Sequence, residues 1–185
     1  MNRRRQNVLE FTVLGLLAEQ PMHGYELRKR LNLVLGSFRA ISYGSLYPCL
    51  KDLEARGLIA PVGTPAFPQL TTSKRARISY ALTTEGHAYF AEQLEDIGPD
   101  ALEDEGFAAH FAFFAAARSE IRVRILDGRR ARLLERITEL QRAQEQADAR
   151  GDVYVTALQH HNVKSLESEV DWLSSLIEKE RTKGK

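Results

Sequence analysis

Cysteine is nearly absent from this 185-residue chain, with Cys49 standing alone. That excludes an intrachain disulfide framework and a cysteine-based zinc site. A lone thiol also needs an activating neighbour to become reactive, and none is evident in the sequence. Long hydrophobic runs are missing too. The most apolar stretch, residues 107–117, falls short of the roughly 20 residues that span a bilayer. The basic start soon meets Glu10 and Glu19 and lacks a small-residue cleavage site, so a secretory leader is not expected. The expected setting is soluble, reducing and cytoplasmic, with no membrane partner. A G-x-S-x-G elbow, a phosphate-binding loop, an H-E-x-x-H helix and paired carboxylates in a cleft-forming context are all absent, so catalysis is not expected. His160 and His161 are adjacent. On a helix they point about 100° apart with no chelating partner at i+4, so neither a metal nor another cofactor is expected. There is no internal repeat and no low-complexity tract.

What is present suits a soluble globular chain of one or two small domains: 43% hydrophobic and 28% charged residues. The net charge of +1 hides a split. Residues 1–90 hold 12 basic against 6 acidic side chains, and residues 91–185 hold 14 against 19. A basic front half joined to an acidic back half suggests that only the front meets a polyanion. The residues Ile97, Gly98, Pro99 and Asp100 are the best hinge, which divides the chain into domains 1–97 and 98–185.

Periodicity predicts the elements. A first helix covers 7–19, with Asn7 and Glu10 in capping-box spacing. A turn follows over 21–24, then a second helix over 24–35 with Tyr25, Leu27, Leu31 and Val34 inward, ended by Gly36. Leu46, Leu50 and Leu53 stand at i, i+4 and i+7, one face of a third helix. Ser42 or Ser45 caps its start, and Gly57 supplies its left-handed end. Pro48 is tolerable only near its beginning. Strands follow over 58–62 and 77–83, where Ile78, Tyr80 and Leu82 alternate with small residues. A helix over 84–96 is capped by Thr83 or Thr84. The back half reads as all helical. A short helix covers 103–117, and a long one starts at Ser119 and runs to 149. After a break at Gly151, a last helix carries Leu158, Leu166, Val170, Leu173 and Ile177 at coiled-coil-like spacing.

Three helices followed by a two-stranded wing make a winged helix-turn-helix, whose third helix enters the DNA major groove. The face opposite Leu46, Leu50 and Leu53 is centred on Gly44, Pro48, Lys51 and Ala55. Small residues let the helix axis approach base edges, and Lys51 reaches a phosphate or a guanine. Tyr43, Ser45 and Tyr47 lie where hydroxyls and free N–H groups at a helix start hold phosphate. Lys74, Arg75 and Arg77 sit on the wing, and Arg3, Arg4 and Arg5 form a basic arm. The competing reading makes Lys51 a solvated surface lysine, and the basic run 28–30 is read as a solvated face ahead of a contact.

The residues of these elements resemble the PadR family of bacterial transcriptional regulators. One motif is His23, Gly24, Tyr25, Glu26 and Leu27 after an aliphatic first helix. Another is Gly44, Ser45, Leu46, Tyr47 and Pro48, continued by Leu53 and Glu54 to Gly57, Leu58 and Ile59. Tyr80, Ala81, Leu82, Thr83 and Gly86 match the end of the wing. The back half resembles the longer subtype, marked by Leu166, Glu167, Trp172 and Leu173. The resemblance implies a mainly α fold with an N-terminal winged helix-turn-helix and a C-terminal helical dimerisation domain. It also implies a homodimer on a double-stranded inverted-repeat operator, usually repressing transcription, and a small aromatic effector such as a phenolic acid. Leu133, Ile137, Leu140, Leu166, Val170, Trp172, Leu173 and Ile177 are the expected dimer interface. Phe107, His110, Phe111, Phe114 and Trp172 are the expected effector pocket, with core packing the plainer reading of His110 and Trp172. The alternative class is an interaction protein, in which the winged helix and helical stripes recruit another protein.

Overall fold

A computed structural model describes residues 3–62, 78–149 and 151–183. The chain divides into two compact units, residues 1–116 and 117–185.

The first unit is built around α1 (Arg3–Glu19). Nearly every residue from Val8 to Leu17 is buried, as a helix enclosed on all sides requires. Thr12 is fully buried inside it and donates its hydroxyl to the Val8 carbonyl at 2.7 Å. Around α1 stand β1 (Met22–His23), α2 (Gly24–Leu35), α3 (Tyr43–Ala55), β2 (Ile59–Val62), β3 (Ser79–Leu82), α4 (Thr84–Glu95) and α5 (Asp104–Ala112). Single turns of 3-10 helix cover Pro99–Leu102 and Phe114–Ala116. Leu27, Leu31 and Leu35 of α2, and Leu46, Leu50 and Leu53 of α3, are essentially inaccessible, each set on one helical face as its spacing requires.

Three features differ from the sequence reading. The first helix starts at Arg3, so Arg3, Arg4 and Arg5 are a helical turn rather than an arm, and Asn7 lies inside the helix. Long-range contacts hold that turn. Arg4 pairs with Asp100, and Arg39 pairs with Glu105 while donating to the Arg5 carbonyl at 2.7 Å. Secondly, the 21–24 turn contributes a strand. The antiparallel sheet runs β1-β3-β2, with Met22 opposite Tyr80 and Ile59 opposite Leu82. Pro61 is accommodated because β2 is an edge strand. Thirdly, the units part after Ala116 rather than at residue 97. The reason is apolar burial: α5 packs on α1 and α2. His110 stacks on Phe11 at 4.3 Å, and Phe113 meets Phe11 and Phe90 edge-on at 5.9 and 5.7 Å.

The second unit is a hairpin of α6 (Ser119–Ala149) and α7 (Val153–Lys183), turned at Gly151. Arg122 bonds Glu180 at 2.7 Å, Asp127 bonds Arg181 at 2.8 Å and Arg129 bonds Glu169 at 2.9 Å, which sets the two helices antiparallel. Leu133, Ile137, Leu173 and Ile177, expected at a dimer interface, are already buried within one chain. The stripes on these helices are thus each other's partners over this stretch. Leu140, Leu166 and Val170 are half-buried, and Trp172 is 43% exposed. At the start of α7, Val153, Tyr154, Val155 and Leu158 face solvent, Tyr154 being 90% exposed. Among the described residues, no helix is long and apolar enough to cross a membrane, and no group of three His, Cys, Asp or Glu stands together to hold a metal ion.

Candidate nucleic-acid interface

The third helix is fixed at both ends by its own sequence. Ser42 caps the start, its hydroxyl accepting from the Ser45 N–H at 3.3 Å. At the other end Gly57 has φ +71°. The Leu58 N–H reaches the Leu53 carbonyl at 2.9 Å, and the Gly57 N–H reaches Glu54 at 3.0 Å. This is the Schellman pattern, in which a left-handed glycine closes the last turn. Asn32 sets the approach from α2. Its side-chain oxygen accepts from the Ile41 N–H at 2.8 Å, and its amide nitrogen donates to the Ile41 carbonyl at 3.3 Å.

The inner face of α3 is buried through Leu46, Cys49, Leu50 and Leu53. Gly44, Pro48, Lys51 and Ala55 are exposed together on the outer face, as their spacing predicts. Pro48 has no N–H to give the Gly44 carbonyl, which opens the backbone on this outer face. Asp52 also faces outward, but Arg56 covers it at 3.1 Å while also reaching Glu10 at 2.9 Å. The Arg56 guanidinium lies 5.1 Å over the Tyr89 ring. This network leaves Lys51 as the cation at the middle of the exposed face.

At the N-terminal edge, Tyr43 is 38% exposed and its ring stacks on Tyr47 at 5.8 Å. The Ser45 hydroxyl is turned back on the backbone and donates to the Ser42 carbonyl at 3.0 Å. Its own contribution is therefore to the helix start. Gly24 packs against Tyr47, where an added Cβ would meet the hydroxyl at 3.5 Å. Tyr25, read as inward, is 64% exposed, while Leu27 of the same helix is fully buried.

The sequence reading missed Arg28. Its guanidinium carbon sits 4.4 Å over the Tyr43 ring, and its Nε is buried without a hydrogen-bond partner. The basic run at 28–30 signalled a charged helix face but not this contact, because Tyr43 lies on another element. Arg30, by contrast, is neutralised by Glu19 at 2.8 Å and by Glu26 at 3.7 Å. Lys74, Arg75 and Arg77 lie outside the described residues.

The Cys49 thiol is pushed up to about 12, first by burial and then by the charges of Glu10 and Asp52, with Arg56 opposing. It is a core group of α3 and not a nucleophile. The Tyr80 phenol of β3 is raised by burial, then by Glu54 and Tyr47, so it stays a hydrogen-bond donor.

Phe107, Phe111 and Phe114 form a ring cluster along α5 and the following turn, at 5.7 and 5.0 Å. Trp172 belongs to the C-terminal unit. His110 lines a cavity of about 240 Å³ with Phe11 of α1, beside Gln93, Asp96 and the 98–101 turn.

The sequence pattern of the transcriptional regulator PadR-like family matches residues 13–92. No curated protein matches the chain. Among solved structures, Bacillus subtilis PadR in complex with operator DNA is 22% identical, with 94% of this chain and 99% of that chain covered and a TM-score of 0.42. Bacillus subtilis PadR in complex with p-coumaric acid is 21% identical, with the same coverage and a TM-score of 0.41. A PadR-like transcriptional regulator from Bacillus cereus is 20% identical, with 95% and 99% covered and a TM-score of 0.41.

Proposed function

Because the pattern of the transcriptional regulator PadR-like family matches residues 13–92, we propose that this chain is a homodimeric repressor. It reads an inverted-repeat operator with α3 and releases it to a small aromatic effector. The observation that carries the reading is the outer face of α3. Gly44, Pro48, Lys51 and Ala55 are exposed together, and the Tyr43–Tyr47 stack lies at the helix start. A small-sided face with one central cation suits close approach to base edges, while hydroxyls and free N–H groups at a helix start suit phosphate. Two such helices about 34 Å apart meet successive major grooves on one side of a duplex.

The dimer is supported by apolar surface that one chain leaves uncovered. Val153, Tyr154, Val155 and Leu158 at the start of α7, with Leu134 and Trp172, are exposed, and such side chains gain most by association. Leu140, Leu166 and Val170, on the same two helices, are half-buried and would extend that surface.

Selection of bound sequences from a random duplex pool by the purified chain tests the reading. Enrichment of a two-fold symmetric site is the expected result. Lys51→Ala should then weaken operator binding while leaving the circular dichroism spectrum unchanged. Unchanged affinity would remove Lys51 from the contact surface. Weak, sequence-blind binding would favour the other reading, a winged helix and helical stripes that recruit a protein partner.

A further inference from the structure

The cavity in the N-terminal unit has a chemistry of its own. It opens between α1, the end of α4, the 98–101 turn and α5. Its volume of about 240 Å³ corresponds to about eight waters at ~30 Å³ each, room for one small ring system. One wall is the Phe11–His110 pair, whose rings stack face to face on each other at 4.3 Å with their planes 17° apart. Phe113 backs Phe11 from the core side. The position of this wall is not adjustable. His110 Nδ1 bonds the Gly106 carbonyl at 2.9 Å, and a Cβ on Gly106 would stand 1.9 Å from the Asp100 carbonyl oxygen. Only glycine lets α5 lie this close to the turn that carries Asp100.

The polar part of the lining is one-sided. Asp96 stands at the exposed rim and Asp100 is half-buried, while the amides of Asn7 and Gln93 complete the polar groups. No lysine or arginine lines the cavity. Arg4 engages Asp100 Oδ1 from the α1 side but is not one of the lining residues. Burial lowers the His110 imidazole below its ordinary value, with the bond to Gly106, the charge of Asp96 and a contact to Gln93 acting against it, so near neutral pH the wall adds no positive charge. Asp100 is offset by Arg4, so an aromatic carboxylate seated here would meet the charge of Asp96 with no lining cation to balance it. A flat group bearing a positive charge or N–H donors would pack against the ring wall and direct those donors at Asp96.

We infer that the cavity walled by Phe11 and His110, with Asp96 at its rim, seats a small aromatic base such as an arylamidine, in preference to an aromatic acid. This departs from the phenolic acids that the family resemblance implies. The seat stands on the cavity itself. Its consequence for DNA rests on the regulator reading above.

Calorimetry on the full chain without DNA tests the seat, with benzamidine as the probe and benzoate as the acid of the same shape. Benzamidine is expected to bind at least about tenfold tighter than benzoate, a difference of ~1.4 kcal/mol or more. Asp96→Asn is expected to remove most of that preference without loss of thermal stability. The His110 ring protons are expected to shift on addition of benzamidine in the NMR spectrum of the unaltered chain. Benzoate binding as tightly as benzamidine, an Asp96→Asn variant with undiminished preference, or no benzamidine binding at millimolar concentration would each overturn the inference. If benzamidine binds but no operator is selected from the duplex pool, the seat survives and the regulator reading falls. If an operator is selected and benzamidine does not bind, the reverse holds.

Discussion

Replacing Arg28 with methionine tests whether its packing on Tyr43 is accompanied by the phosphate contact that the DNA-reading proposal would give it. Methionine keeps an apolar stem over Tyr43 but removes the guanidinium that lies 4.4 Å from the ring centre. The lost cation–π contact is worth about 0.5–2 kcal/mol, so the N-terminal unit should melt a few degrees lower. If Arg28 also meets a DNA phosphate, its loss reduces the slope of log affinity against log salt by roughly 0.9 per subunit, or about 1.8 for a dimer. Across a fourfold change in salt, that slope difference makes the variant's loss of affinity about tenfold smaller than that of the unaltered chain. Fluorescence anisotropy on the selected operator, from 50 to 200 mM salt, reads this directly. Arg28→Lys should recover the slope but not the melting temperature, since an ammonium keeps the charge and loses the planar stack. A slope unchanged in Arg28→Met, with only a lowered melting temperature, would refute the phosphate role and make Arg28 a packing residue.

Three further outcomes follow from groups in the first unit. Gly106→Ala forces a Cβ to within 1.9 Å of the Asp100 carbonyl; the resulting displacement should cost about 2–3 kcal/mol, visible as a melting temperature lower by about 10 °C. Cys49, with its thiol at about 12 and its side chain buried, should resist a thiol reagent at pH 8 in the native chain and react with one equivalent after unfolding. Burial holds the folded His110 below its ordinary 6.5, so the unfolded chain takes up the proton first. Stability from this site is complete above that value and is lost as pH falls through the lower, folded one. His110→Phe, which keeps a ring against Phe11, should flatten this acid limb in a series of denaturant melts. An unchanged limb would mean that another group carries it.

Much of the first unit was legible because its signals are local. The leucine spacing of α3, the Ser42 cap, Gly57 and the opposite small-sided face all lie within sixteen consecutive residues. The second helix was placed at its observed bounds of 24 and 35 by the turn before it and the glycine after it. What escaped depended on distant partners. The first turn of α1 is helical because Asp100 and Arg39 hold it, and residues 96 and 34 positions away leave no periodic trace. The two-residue strand at Met22 exists only through pairing with Tyr80. The unit boundary was misplaced because Gly98 and Pro99 read as a hinge, whereas here they form a turn pressed under α5. The candidate site divides in the same way. The face of α3 came from spacing alone, but the Arg28–Tyr43 stack and the Phe11–His110 wall join elements far apart in sequence.

The place of β3 in the sheet has an evolutionary consequence. A strand paired on one side only would depend on its hairpin connection for its position. β3 is paired on both sides, by β1 and by β2, and Thr83 just after it clasps the Gly57 carbonyl at 2.7 Å. Its anchorage therefore does not rest on the length of the connection between Val62 and Ile78. Doubling such a connection costs only about 0.6 kcal/mol in closure entropy. Residues 63–77 can thus be lengthened, shortened or recomposed across descendants of this chain while the α3 face keeps its place. Change in that segment need not disturb the architecture that presents α3.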